Sequence, residues 1–128
     1  MPLGSSAAES GEEPGDSFRF ERILNYLEMN YAREISIAEL GKRFFLSNSK
    51  LYRTFVQHTG RSPLRCLADI RVAHARNMLL NTNLSVAAVA AACGFYDGNH
   101  FARVFRSRSG QTPSVYRRSK GAERNENE

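Results

Sequence analysis

Apolar residues recur every three or four positions along most of this chain, which is the spacing of one face of an α-helix. No segment shows sustained alternation of apolar and polar residues with the β-branched enrichment of a strand. The pattern therefore predicts an all-α fold. Its first helix is amphipathic and carries Phe18, Ile23, Leu24, Leu27 and Tyr31 on one face.

Capping residues and glycines predict where the helices begin and end. Ser36 and Glu39 have the spacing of a capping box, which opens a helix that continues to Phe44 or Phe45. Seven helices are predicted in all, the last of them short. The other predicted starts are Ser47, Ser62-Pro63, Ser85, Asp97 and Thr112-Pro113, and the predicted stops are Gly60, about Leu80, Gly94 and Gly110.

The same succession of signals occurs twice, so the chain contains an internal repeat. Residues 35–38 match residues 84–87 at an offset of 49, whereas residues 51–63 match residues 101–113 at an offset of 50. We place the extra residue between Ser49 and Leu51. Each copy is a short helix, a tight turn and a longer helix, which is the form of a helix-turn-helix.

The expected core of each copy lies between its two helices. In the first copy, Ala38 and Leu40 are expected to meet Leu51 and Phe55. In the second copy, Ala87, Val89 and Ala90 are expected to meet Phe101 and Phe105.

Charge is concentrated in the middle of the chain. The formal net charge of the whole chain is +5. Residues 18–118 contain sixteen basic and six acidic side chains, so the middle is more positive than the whole chain, whose ends are acidic. Such a field attracts polyanions, of which DNA is the commonest partner. A basic surface that is merely solvated is the alternative from charge alone.

The ends of the chain differ in composition from the middle. Residues 1–17 are expected to be a disordered linker or a cloning remnant, and residues 119–128 a disordered tail. Between them we expect a first unit over 18–62, a connecting helix over 63–80 and a second unit over 81–118. Neither a secretory signal nor an apolar run long enough to span a membrane is found. Cys66 and Cys93 are expected to be small buried residues in a reducing cytoplasm.

The second repeat and its C-terminal flank resemble the AraC/XylS family of bacterial transcription regulators. The matching strings are residues 91–97 (AACGFYD), 101–106 (FARVFR), 110–113 (GQTP) and Tyr116-Arg117. The first repeat matches the family at Leu51, Arg53, Phe55, Gly60 and Ser62-Pro63, and the connecting helix at Leu67, Arg71, Ala75 and Leu79.

This resemblance implies two helix-turn-helix subdomains joined by a long helix, with both second helices in successive major grooves of double-stranded operator or promoter DNA. It implies a transcription regulator, most often an activator, in the bacterial cytoplasm at the nucleoid. RNA polymerase is then a further candidate partner, and the family's effector or dimerisation domain is not in this chain. No cofactor, metal or catalytic residue is expected. Gly98 stands where the family often has a polar side chain, so base reading there is expected to be lost.

Charged and polar residues on the outward faces of the second helices are the candidate base readers, because Arg pairs with guanine edges and Asn with adenine edges. These are Ser49, Lys50, Tyr52, Arg53, Asn99, His100 and Arg103. The candidate phosphate contacts are Lys42, Arg43, Arg61, Arg65, Arg106 and Arg108. For Tyr52 the alternative is packing beside Phe55, and for His100 it is a surface hydrogen bond. Arg71, on the connecting helix, is expected to be structural.

Three other functional classes are compatible with a small basic helical chain but are less well supported by its sequence. An enzyme is disfavoured because the chain has no HExxH motif, Gly-rich phosphate loop or nucleophile elbow. A helical protein-interaction module would need an exposed apolar face, and the apolar positions are used by the core pattern. An RNA-binding domain would normally show aromatic residues on an open surface.

Overall fold

The computed structural model describes residues 15–127. Every regular secondary-structure element in this range is a helix. The all-α prediction and the predicted number of helices over these residues are confirmed. The helices are α1 (Asp16–Asn30), α2 (Ile37–Phe44), α3 (Asn48–Thr59), α4 (Pro63–Asn81), α5 (Val86–Ala92), α6 (Gly98–Ser109) and α7 (Pro113–Asn127).

The predicted capping residues begin the helices. A side-chain oxygen accepts the amide hydrogen of the residue three positions on, at Ser36 (3.0 Å), Ser47 (3.1 Å), Ser85 (3.0 Å) and Asp97 (2.7 Å). Each bond satisfies an amide that has no partner within its own helix. The predicted stops at Gly60 and Gly110 adopt left-handed φ values of 77° and 79°, and they end α3 and α6.

Among the described residues, the first compact unit contains residues 15–29 and Ile35–Arg65. Its buried apolar residues come from α1, α2 and α3 and from Ile35 just before α2, and the ring centroids of Phe20 and Phe55 lie 5.1 Å apart, edge to face. Phe18 is 67% exposed, so its expected place in the core is wrong. Phe20 is buried instead, because it lies three positions before Ile23 and seven before Leu27 on the same face of α1.

Among the described residues, the second compact unit contains residues Asn30–Glu34 and 66–127. The helix expected to act as a connector therefore belongs largely to this unit. The core consists of Val72, Ala75 and Leu79 from α4, Val89 and Ala90 from α5, Cys93 and Phe95 from the turn, and Phe101 and Phe105 from α6.

The segment after α1 is held within the second unit by polar and aromatic contacts. The Arg71 guanidinium donates hydrogen bonds to the carbonyl oxygens of Tyr31 (2.8 Å) and Arg33 (2.9 Å). The rings of Tyr31 and His74 stack with their centroids 3.9 Å apart. Gly94 lies against this segment, and a Cβ atom placed on it would lie 2.7 Å from the Tyr31 carbonyl oxygen.

The two copies differ by one residue in the turn, and not within the second helix as the sequence suggested. Phe45 and Gly94 both adopt left-handed φ values, 58° and 91°, at the same distance after the caps Ser36 and Ser85. The caps of the second helices, Ser47 and Asp97, are 50 positions apart. The extra residue is therefore Tyr96, and Gly98 corresponds to Asn48.

Three smaller expectations are also corrected. Ala38 and Ala87 are exposed, because the buried face of each supporting helix begins later, at Leu40 and Val89. The last helix continues to Asn127, past residue 118, so it is not short. Helix α1 includes residues 16 and 17 of the predicted linker. Residues 1–14 of that linker and residue 128 lie outside the described residues.

Within residues 15–127, no helix is both long and apolar enough to cross a lipid bilayer.

We predict that Gly94→Ala destabilises the fold more than Gly110→Ala. Both glycines have a left-handed φ, so both substitutions strain the backbone by about 1 kcal/mol. Only at Gly94 would the new Cβ also meet backbone, since nothing lies within 4 Å of it at Gly110. Urea unfolding followed by circular dichroism should show a further loss of about 1–3 kcal/mol for Gly94→Ala. Equal losses would contradict the close approach.

The Cys93 thiol provides a pH-dependent test of the second core. Burial raises the pKa of this thiol from 9.0 to about 11, against a smaller opposing effect of the Arg71 charge. In the unfolded chain the thiol loses its proton near pH 9, so its contribution to stability falls as pH rises from about 9 to about 11.

In a Cys66→Ala background, Cys93 should therefore be alkylated slowly by iodoacetamide at pH 9. The smaller thiolate fraction alone predicts a rate on the order of fiftyfold below that of the denatured protein. Equal rates in the native and denatured states would show that Cys93 is not buried.

Candidate nucleic-acid interface

The packing of α3 determines which of its side chains face outward. Leu51, Thr54 and Phe55 are buried, and the Ser47 cap fixes where the helix begins. The opposite face presents Ser49, Tyr52 and Arg53, with Tyr52 56% exposed. Tyr52 is therefore not packed away beside Phe55. Lys50 is partly buried at the start of the helix.

Three of the four candidate base readers on α3 line one open groove of about 630 Å³. Ser49, Tyr52 and Arg53 are brought together there, and Lys50 does not line the groove. The first residues of three helices meet at this place. The full lining is Ile37 from α2, Asn48, Ser49, Tyr52 and Arg53 from α3, Ser62 before α4, and Pro63 and Leu64 within it.

The sequence did not identify Ile37, Asn48, Pro63 or Leu64 as part of this surface. Their positions at helix starts could be predicted from the caps, but the meeting of those starts depends on tertiary packing. Leu64 is 48% exposed, so an apolar side chain stands beside the polar ones.

Helix α6 repeats the arrangement of α3 in the second unit. Phe101 and Phe105 are fully buried, which turns Asn99 and Arg103 to the outside. Arg103 on α6 and Arg53 on α3 occupy corresponding positions, six residues after the capping residues Asp97 and Ser47.

His100 differs from the other candidates on α6. It is partly buried, and its ring stacks on Tyr96 with the centroids 4.7 Å apart. The Phe95 ring centroid lies 5.7 Å from that of His100. Contacts within the unit thus already use part of the imidazole surface.

The six candidate phosphate contacts divide by their surroundings. Lys42, Arg43, Arg65 and Arg106 are exposed, whereas Arg61 and Arg108 are partly buried. The Arg43 guanidinium lies over the Tyr26 ring at 4.5 Å, which orients it. Arg108 Nε donates to Asp69 Oδ1 at 2.7 Å in an ion pair. Arg108 therefore has a partner within its own unit, which competes with any phosphate.

Other arginines of the second unit hold its elements together. Arg71 bonds to Tyr31 and Arg33, which confirms its predicted structural role, and burial lowers the pKa of its guanidinium. Arg76 Nε donates to Ser109 Oγ at 3.0 Å, and Arg117 Nε donates to the Leu79 carbonyl at 2.9 Å. The part of the basic charge that is available to a ligand is correspondingly smaller than the composition suggests.

Among residues 15–127, no three His, Cys, Asp or Glu side chains are grouped as metal ligands. The exposed cationic and polar groups of α3 and α6 are therefore the chemistry that these surfaces offer. They are hydrogen-bond donors on convex helices, suited to the edges of bases and to phosphates.

The comparison with protein families matches residues 40–119 to a helix-turn-helix domain family. The chain therefore belongs to the AraC-type helix-turn-helix family. The transcriptional activator RhaS of Escherichia fergusonii is 37% identical over 122 residues, which is 95% of this chain and 44% of that protein. RhaS of Pectobacterium carotovorum is 38% identical over 97 residues, 76% of this chain and 35% of that protein.

Solved structures of AraC-type domains agree with this assignment. The DNA-binding domain of AdpA, in complex with a target DNA, has a TM-score of 0.78 and 28% identity, and the match covers 81% of this chain and 94% of that one. A probable AraC family regulator from Rhodopseudomonas palustris has a TM-score of 0.71 and 31% identity, covering 79% and 95%. This AraC-type chain spans less than half the length of the RhaS proteins that it matches.

Proposed function

We propose that this chain is the DNA-binding part of a bacterial transcription regulator, and that each helix-turn-helix copy presents its second helix to a major groove of double-stranded DNA. One observation carries the proposal. An exposed arginine stands at the same position of α3 and of α6, each beside a fully buried pair of apolar side chains. A repeated surface cation on a firmly packed helix suits repeated contacts with a duplex.

The base-reading chemistry follows from the groups on these helices. Arg53 and Arg103 each offer a guanidinium fork that fits the O6 and N7 acceptors of guanine, and Asn99 offers an amide that fits adenine. Ser49, Tyr52 and Lys50 would add contacts in the first copy, and the ring edge of His100 in the second. Each bidentate pair contributes about 1–3 kcal/mol of discrimination.

The phosphate contacts would come from the exposed Lys42, Arg43, Arg65 and Arg106, with smaller contributions from the partly buried Arg61 and Arg108. Since both reading helices belong to one chain, the site they read would be asymmetric. Its two contacted grooves would lie about one helical turn (~34 Å) apart.

The wider role is proposed from the relatives. The RhaS proteins are activators, so we propose activation for this protein, with RNA polymerase as a partner and the bacterial nucleoid in the cytoplasm as its place of action. The matched part of each relative is less than half of it, so an effector-binding or dimerisation domain would be separate from the residues described here. We propose no enzymatic activity for this part.

We predict that Arg103→Ala weakens binding to a selected site more than binding to a mixed-sequence duplex. The selected site would come from enrichment of bound sequences out of random DNA. Losing a bidentate contact to guanine should cost about tenfold or more on the selected site and much less on the mixed one. Fluorescence anisotropy on both duplexes measures this, with Arg19→Ala, an exposed arginine on α1, as the control. Equal losses on both duplexes would make Arg103 a phosphate contact.

We also predict a steep dependence of binding on salt. Neutralising six to ten phosphates would lower the affinity roughly 10³–10⁵-fold between 50 and 200 mM salt. Arg106→Ala should reduce the slope by about one. Arg108→Ala should also lower the unfolding temperature, because it removes the ion pair between Arg108 and Asp69. A flat salt response, or equal binding to duplex RNA, would argue against the proposed function.

A further inference from the structure

Phe45 is an anomaly in the first unit. It ends α2 with φ 58° and ψ 44°, in the left-handed region, and its side chain is 91% exposed. A bulky residue is strained there by about 1 kcal/mol or more, whereas glycine or asparagine adopts this conformation with little strain. The corresponding position in the second copy is indeed a glycine, Gly94. The backbone strain at Phe45 therefore lowers the stability of the first unit, and burial of the ring does not compensate for it.

The surroundings of Phe45 are basic. Phe45 lines a shallow groove with the exposed Lys42 and Arg43. Glu39, whose carboxylate also borders this groove, accepts a hydrogen bond from the Tyr26 hydroxyl at 2.7 Å. The Tyr26 ring in turn lies under the Arg43 guanidinium. An exposed aromatic ring with two cations beside it suits a ligand that has an apolar surface between negative charges.

This groove adjoins the candidate base-reading surface. Asn48, the first residue of α3, lines both the groove at Phe45 and the groove that contains Ser49, Tyr52 and Arg53. The major groove of B-DNA is about 12 Å wide and is filled by one helix. A side chain just beside the start of the reading helix would therefore lie at the edge of that groove, where a sugar-phosphate strand runs.

We propose that Phe45 is a DNA-backbone contact, whose ring packs on a deoxyribose between phosphates paired with Lys42 and Arg43. The inference rests on the proposed function and adds a contact that does not read sequence. The apolar C–H face of the sugar suits the ring, and the alternating charge of the backbone suits the cations. Contact with DNA would bury the ring and so offset the backbone strain of the free protein.

If Phe45 contacts the DNA backbone, replacing it by glycine should raise the stability of the protein and lower its affinity for DNA. Phe45→Gly relieves the strain and removes no packing, so its thermal unfolding temperature should rise. The same substitution should weaken binding to a mixed-sequence duplex of about three helical turns by roughly fivefold, because a backbone contact is sequence-independent. Phe45→Ala should lose the same affinity without the gain in stability, and Phe45→Tyr should bind within about twofold of the wild type.

Two further variants separate the ring from other effects. Phe18→Ala removes a comparably exposed ring from α1 and should leave binding to this duplex unchanged. Lys42→Ala should reduce the slope of log affinity against log salt by about one, whereas Phe45→Gly should leave that slope as it is, since it removes no charge.

Several results would overturn the inference. If Phe45→Gly binds the mixed-sequence duplex as tightly as the wild type, the ring does not lie on DNA, and an acidic protein surface becomes the better occupant. If Phe18→Ala loses as much affinity as Phe45→Ala, the loss reflects non-specific binding of exposed aromatic rings to DNA and not a contact particular to Phe45. If the wild-type chain binds no duplex at all, the proposed function fails. That outcome differs from one in which the wild-type chain binds the duplex and substitutions of Phe45 leave its affinity unchanged.

Discussion

The arrangement of both candidate surfaces depends on the burial of two apolar residues, four positions apart, on each second helix. Leu51 and Phe55 anchor α3, and Phe101 and Phe105 anchor α6, all fully buried. A helix has one orientation that buries such a pair, so the side chains on its opposite face are fixed by the core. The exposure of Arg53 and Arg103 is thus a consequence of packing, because each stands two residues after the first anchor and two before the second.

The parts that could be predicted from the sequence are those set by neighbouring residues. A serine or aspartate directly before an apolar helical pattern can cap the helix through an amide three positions on, and the caps Ser36, Ser47, Ser85 and Asp97 could all be predicted in this way. The amphipathic pattern predicts α1, but the prediction of Phe18 on its buried face is wrong, since Phe20 is buried instead. Phe20 has the spacing of three to Ile23 and seven to Leu27 that one helical face requires, and Phe18 does not.

Features that depend on tertiary structure were missed or misplaced. The extra residue of the second copy was placed inside the helix, since sequence alignment cannot weigh a left-handed turn residue against a cap. Structure resolves this, because Leu46 and Phe95 donate equivalent backbone bonds to Gly41 and Ala90, and the copies diverge only after them. The groove beside Tyr52 likewise forms only where the starts of three helices meet, and the ion pair between Arg108 and Asp69 joins residues 39 positions apart, which local sequence does not predict.

The divergence of the two turns has a physical basis in what lies next to each. In the second unit, Gly94 has the Tyr31 and Ala32 carbonyls and the Arg71 guanidinium so close that a side chain would not fit. The backbone of that turn is thus packed against the rest of the unit, and its exposed aromatic residue is the extra residue Tyr96, two positions after Gly94, which stacks on His100. In the first unit the equivalent position faces solvent, so a phenylalanine fits despite its unfavourable backbone angle. The same fold element therefore holds the structure together in one copy and leaves a side chain available to a ligand in the other.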